Sequence, residues 1–375
     1  MSGKHEPKFT SHVHFILLHH PRTLLGGRTA LVSSNANGLP PSNSNVDEIE
    51  KCRDGLWGTT DYIAGSLYTL IKDRRLDKRS DAIPLYGVHD ALSAKIFSRH
   101  GAPALFLSGF GVSASLLGLP DVGMTNLVEM EMVTRNIYSV LSEQTPLIVD
   151  GDTGFGGPPN ILRTVSSLAA AGAAAVTIED QNFPKVCTIA AGSNVRIVDR
   201  ETAVQRVRCA LAARDEVNMR SDNGPWIVAR TDCRMAFGFD ECVERCLQFE
   251  QLGAEVIYAE NLQSVEEYER LRRRLDPLTV TIVAQVQENR DPSNKTSKPL
   301  LTTGEVGDMG YDLALFGVTP LQIVAGALES AALELLDRGG ENGLARDVAF
   351  ADFATVKEVV SFDKLEQFSE DFPCT

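Results

Sequence analysis

The densest chemistry in the chain is Val149-Asp150-Gly151-Asp152-Thr153-Gly154-Phe155-Gly156, which closes the apolar run Leu147–Val149. Carboxylates two residues apart on a strand point the same way. Like charges held together in a partly dry site call for a cation. An all-oxygen donor set suits Mg²⁺, with Mn²⁺ as the alternative. Glu179 ends the next apolar run and can join the pair, while Glu260 ends a later one. The non-catalytic alternative for Asp150 and Asp152 is a helix cap or a solvated turn. Arg230, in Val228-Ala229-Arg230-Thr231-Asp232, is either a clamp for a substrate carboxylate or a structural ion-pair partner. Cys187 sits in the stretch Glu179 to Thr188, with Lys185 two residues before it. A lysine so placed is expected to lower the thiol pKa. Beyond the first 46 residues only His89 and His100 remain as histidines, so histidine catalysis has little to work with.

These residues need a frame. Eight short apolar runs recur: Ile83 to Tyr86, Ala104 to Leu107, Leu147 to Val149, Ala175 to Ile178, Trp226 to Ala229, Val256 to Ala259, Val280 to Ala284 and Leu313 to Phe316. Segments of helical period separate them, among them Asn160 to Ala171, Arg200 to Ala213, Phe239 to Leu252 and Val265 to Leu275. Apolar strands alternating with amphipathic helices predict a parallel sheet covered by helices. Eight such units predict a closed (β/α)8 TIM-type barrel. The candidate residues all follow apolar runs, and in such a barrel every strand's carboxyl end meets on one face. A doubly wound open sheet is the runner-up, but its dinucleotide fingerprint is missing: Gly109-Phe110-Gly111 lacks the third glycine.

The chain has 375 residues, with 50 acidic against 36 basic and a net charge of −14. Such a field disfavours nucleic acid and anionic membranes as partners. No apolar run approaches the roughly 20 residues that span a bilayer. Seven scattered cysteines fit reduced intracellular thiols, in the cytoplasm or alternatively the mitochondrial matrix. Residues 1–46 hold one acid, Glu6, and five of the seven histidines, and read as a disordered arm or a transit peptide. A helical segment is expected over 47–80, the barrel over 81–330 and a helical extension over 331–375.

From about residue 80 to 330 the motifs resemble the isocitrate lyase and phosphoenolpyruvate mutase superfamily. They are Gly87-Val88-His89-Asp90, Leu107-Ser108-Gly109, Leu117-Gly118-Leu119-Pro120-Asp121, Val149 to Gly156, Ile178-Glu179-Asp180-Gln181 and Val228 to Asp232, in that order. The branch they look most like is that of methylisocitrate lyase, oxaloacetate hydrolase and dimethylmalate lyase. The resemblance implies the barrel, with a last helix swapped between subunits of a homodimer or homotetramer. It implies Mg²⁺ near Asp150, Asp152 and Glu179. It implies a small carboxylate substrate bound by Ser108, Gly109, Asp121 and Arg230, with Glu260 on the inner wall. Cys187 would be the general acid of C–C cleavage, and Lys185 would hold its thiolate. Lyases of the group carry Lys-Arg-Cys-Gly-His where this chain has Lys185-Val186-Cys187-Thr188-Ile189. Losing the Arg and His disfavours a tricarboxylate and fits a smaller or less charged substrate. Phe183-Pro184-Lys185 and Asp150-Gly151-Asp152-Thr153-Gly154 look mutase-like, so a phosphonomutase is the second reading and an inactive barrel the third.

Overall fold

A computed structural model describes residues 63–77, 81–142, 145–221, 223–286, 300–338 and 350–372. The expected arm over 1–46 lies outside the described residues. Strands β1 (Ile83–Val88), β2 (Ala104–Leu107), β3 (Leu147–Asp150), β4 (Ala175–Glu179), β5 (Trp226–Thr231), β6 (Val256–Ala259), β7 (Val280–Ala284) and β8 (Leu313–Phe316) form a closed barrel in chain order. Every pairing is parallel, and β8 returns to β1 with Leu313 opposite Ile83. The (β/α)8 expectation is therefore met. No described helix is long and apolar enough to cross a membrane.

Side-chain alternation divides the apolar residues into two cores. Leu85, Phe106, Ile148, Val228, Tyr258, Ile282 and Leu315 belong to the barrel interior. Leu105, Val149, Val176, Ile227, Ile257 and Ala314 pack outward, with the surrounding helices. The helix Ile63–Leu76 closes the amino end of the barrel, since its Leu67 and Ile71 belong to the interior core. Its last turn holds that position through Arg74 and Arg75, which pair with buried Asp312 at 3.1 and 2.7 Å.

The same two-residue period carries past the strand ends and sets what faces the opposite mouth. Phe106 is followed by Ser108, Ile148 by Asp150, Thr177 by Glu179, Val228 by Arg230 and Tyr258 by Glu260. The helix after β4 runs from Arg200 to Ser221, eight residues beyond the expected Ala213. Its added turns include an Arg220–Glu216 pair four residues apart, a local device that hydrophobic periodicity does not register. Within the expected extension, Phe353–Val359 and Phe362–Asp371 are helical.

Candidate active site

At the mouth, Asp150 is fixed by two main-chain donors. The Gly109 N–H donates to Oδ2 at 3.3 Å, and the Asp152 N–H donates to Oδ1 at 3.2 Å. A Cβ on Gly109 would lie 3.1 Å from Asp150 Oδ2 and 3.2 Å from Asp152 Oδ1, a tight fit that would push both carboxylates by a few tenths of an ångström. Asp152 has φ of 48°, in the left-handed region where a non-glycine residue is strained. Such strain is held in place by surrounding structure and gathers at functional sites.

Lys185 completes this side. Its Nζ donates to Asp121 Oδ2 at 3.0 Å and makes a shorter contact with Asp152 Oδ1. Burial alone would lower the Lys185 pKa. Asp152, Glu179, Asp150 and Asp121 outweigh it and hold the ammonium well above its ordinary range. Burial pushes Asp152 up to about 7, with Lys185 opposing and Asp150 and Asp121 adding. Glu179 is pushed well up by burial and by Asp232, against Arg230 and Lys185. Among the described residues neither Glu179 carboxylate oxygen accepts a hydrogen bond, and Arg230 Nε lies 3.5 Å from Oε2.

Asp152 feels the charge of Asp150, and Glu179 that of Asp152. Among the described residues, though, no three acidic, His or Cys side chains close around a point that could hold an ion. Asp152 meets Lys185 instead. The hard oxygen donors here, with both Glu179 oxygens outside any hydrogen bond among the described residues, are of the chemistry that divalent cations take.

Arg230 is an ion-pair partner here. Its Nε and Nη2 make a two-pronged pair with Asp232 at 2.6 and 3.0 Å, and its guanidinium lies 5.2 Å from the Tyr258 ring centre. It also lines the cavity. Glu260 accepts from Thr188 Oγ1 at 3.3 Å and from the Tyr258 hydroxyl in a shorter bond.

Cys187 requires a correction. Lys185 was expected to lower its pKa and to hold its thiolate. Burial instead raises the thiol, with Asp121 and Glu260 adding and the Ala190 and Ile189 backbone opposing. Lys185 is engaged with Asp121 and Asp152. Cys187 is therefore a neutral S–H, the state a proton donor needs.

A cavity of about 370 Å³ opens among these groups. Ser108, Asp121, Asp150, Lys185, Cys187, Arg230 and Glu260 all line it, while Gly109, Asp152 and Glu179 are not among its lining residues. Ser108 also caps the short helix Gly109–Val112 by accepting from the Gly111 N–H. His89 is buried but does not line the cavity. Sequence reading missed three residues. Tyr258 orients Glu260, and its signal was its place two residues earlier on the inward face. Thr188 bonds the same carboxylate. Gln181 brackets the loop: its Nε2 donates to Val186 O at 3.0 Å and Asp232 Oδ2 at 2.6 Å, and its Oε1 accepts from the Val186 N–H at 2.9 Å. Nothing in local spacing announces that bracket.

A parallel barrel with buried carboxylates, an arginine and a neutral thiol around one carboxyl-end cavity defines a barrel enzyme built for acid–base and electrostatic chemistry. Residues 74–336 match the family model described as phosphoenolpyruvate phosphomutase. A 2-methylisocitrate lyase from Aeropyrum pernix is 34% identical over 271 residues, covering 72% of this chain and 81% of the relative. A 2,3-dimethylmalate lyase from Eubacterium barkeri is 34% identical over 260 residues, covering 69% and 83%. The solved structure of oxaloacetate acetylhydrolase with 3,3-difluorooxalacetate gives a TM-score of 0.71 at 26% identity, covering 83% of this chain and 98% of that one. The chain belongs to the phosphoenolpyruvate phosphomutase family. It is a lyase-type enzyme of the isocitrate lyase and phosphoenolpyruvate mutase superfamily, whose members act on small carboxylates.

Proposed function

We propose that this enzyme cleaves a carbon–carbon bond of a small 2-hydroxy or 2-oxo dicarboxylate, with Mg²⁺ as cofactor and Mn²⁺ as a substitute. The observation that carries this reading is the neutral Cys187 thiol lining the same cavity as Asp150, Arg230 and Glu260. Asp150, Asp152 and Glu179 would hold the cation, whose chemistry is to polarise the C2 oxygen and stabilise the charge that develops there. Arg230 and Ser108 bind and orient the carboxylate at the reacting end. Glu260, kept in place by Tyr258 and Thr188, takes the proton from the 2-hydroxyl. The C2–C3 electron pair then moves onto the departing carbon, where its carboxylate delocalises it. Cys187 gives that carbon its proton, and a neutral thiol is the form required. Water at C2 of a 2-oxo substrate yields the hydrolytic variant with the same donor.

We propose, too, that a second copy of the chain covers the carboxyl-terminal helices, giving a homodimer or homotetramer. Ile323, Leu328, Leu333 and Leu336 on Thr319–Arg338, and Leu365 and Phe368 on Phe362–Asp371, are more than half exposed. A lone soluble chain seldom leaves so many apolar groups open. Sedimentation velocity tests this, and a monomer at micromolar concentration ends it.

A panel of 2-hydroxy and 2-oxo diacids incubated with Mg²⁺ in D₂O and read by mass spectrometry tests the chemistry. Deuterium is expected in the acid formed from the C3 side, and none in the 2-oxo product. Phosphorus NMR with phosphoenolpyruvate tests the mutase reading, and a new phosphonate resonance without diacid cleavage would replace the lyase by it.

A further inference from the structure

The cavity is divided. Strands β3 to β6 and the loop after β4 present Asp150, Lys185, Arg230 and Glu260. The rest of the lining is mostly apolar, with Phe106 and Phe110 from β2 and its helix, Val286 after β7, Leu315 and Val318 at β8, and Ile189 from the short helix Thr188–Ala191; Ser108 and Gln322 are polar members of it. The inward alternation that places charges on β3 to β6 continues on β7 and β8 as Ile282, Ala284, Val286 and as Leu313, Leu315, Gly317. The two cations among the described lining residues are both engaged, Lys185 with Asp121 and Asp152 and Arg230 with Asp232. The cavity, about 370 Å³, has room for about a dozen water-sized groups at ~30 Å³ each. A four-carbon diacid held at the charged arc leaves the apolar arc uncovered.

We infer that the substrate carries, on the carbon next to its oxygenated C2, an aliphatic substituent of about three or more carbons, and not a further carboxylate. The inference rests on the C–C cleavage reading above and names its substrate class. A third carboxylate against this arc would lose its hydration and, among the described lining residues there, would meet no cation, which is strongly unfavourable. Each methylene laid against it gains about 0.8 kcal/mol, a factor of about four in binding. Phe110, Val318 and Ile189 select the tail, while Arg230 and Ser108 hold the common end.

The test uses the full chain with Mg²⁺ and a series of malate-skeleton acids whose C3 substituent is hydrogen, methyl, propyl, pentyl or carboxymethyl. The expected result is a kcat/KM at least tenfold higher for propyl than for hydrogen, and a carboxymethyl compound at least a hundredfold below propyl. Equal rates for hydrogen and propyl, or a preference for carboxymethyl, would overturn the inference while leaving the cleavage reading intact. If no member is cleaved, the cleavage reading falls and the inference with it. Ile189→Arg, on a half-buried position, should shift the propyl-to-carboxymethyl ratio towards carboxymethyl by at least tenfold. Should that variant unfold by thermal melt, Ile189→Ala serves instead and should lower the propyl-to-hydrogen ratio severalfold. An unchanged ratio in a folded variant removes the loop from tail recognition and overturns the proposed placement.

Discussion

The two ends of the barrel interior follow one geometric rule and have opposite characters. At the amino end, Ile83, Trp226, Val280 and Leu313 pack with Leu67 and Ile71 of the closing helix, and two arginines seal the join on Asp312. At the carboxyl end the same inward positions hold Ser108, Asp150, Glu179, Arg230 and Glu260. The amino end buries apolar surface and leaves its charges paired. The carboxyl end keeps strained Asp152 and a Glu179 carboxylate with no hydrogen bond among the described residues. Stability and chemistry are thus separated along the barrel axis. Mutations at the two ends should fail in different ways.

The largest expected effect is at the carboxyl end. Asp152→Ala should lower turnover by at least about a thousandfold, because it removes a proposed cation ligand and one of the carboxylates on Lys185. The thermal midpoint should change little, since Asp152 is held ionised only against its own burial. Calorimetry should show weakened Mg²⁺ binding; unchanged affinity with persistent turnover means the metal assignment is wrong.

Cys187→Ser should cost about 10² to 10⁴ in turnover with little change in substrate affinity, the loss typical of a positioned acid. The readout is rate together with deuterium in the acid formed from the C3 side. A fully active serine variant with normal deuterium uptake would reduce the loop to a cover.

The amino end supplies the opposite phenotype. Leu67→Ala should destabilise the fold by about 2–5 kcal/mol through the cavity it leaves. Turnover at a temperature where the variant remains folded should match the wild type. Chemical denaturation paired with an activity assay reads both, and a selective loss of turnover would break the separation.

A smaller effect is visible in pH dependence. Asp152 titrates at about 7 in the folded protein against an ordinary value of 3.8, so between those limits the folded state binds more protons than the unfolded one. Its contribution to stability is therefore complete below pH 3.8 and is lost as pH rises through about 7. Metal-free wild type should lose more urea stability than Asp152→Asn between pH 5 and pH 7.5. Equal slopes would show that Asp152 is not the group responsible. The least effect is expected from deleting residues 1–45, which lie outside the repeating pattern. Turnover should stay within roughly twofold, under about 0.5 kcal/mol of barrier.

The sequence alone determined the barrel and which polar residues stand at its carboxyl end. Eight apolar runs separated by helical periods imply parallel strands, and a two-residue alternation carries each run's inward face onto the polar residue beyond it. Asp150, Glu179, Arg230 and Glu260 were legible for that reason, since strand geometry is local and repeats. The tertiary structure decided which charges meet. Lys185 stands two residues from Cys187 yet spends its ammonium on Asp121 and Asp152, because a long flexible side chain goes to the strongest buried field, whatever its sequence neighbour. The Gln181 bracket, the Tyr258–Glu260 bond and the plug formed by Ile63–Leu76 join positions far apart in the chain or orient groups through burial. The apolar arc was hidden for the same reason: Val286 and Val318 read as ordinary strand-end residues until barrel closure sets them opposite the carboxylates.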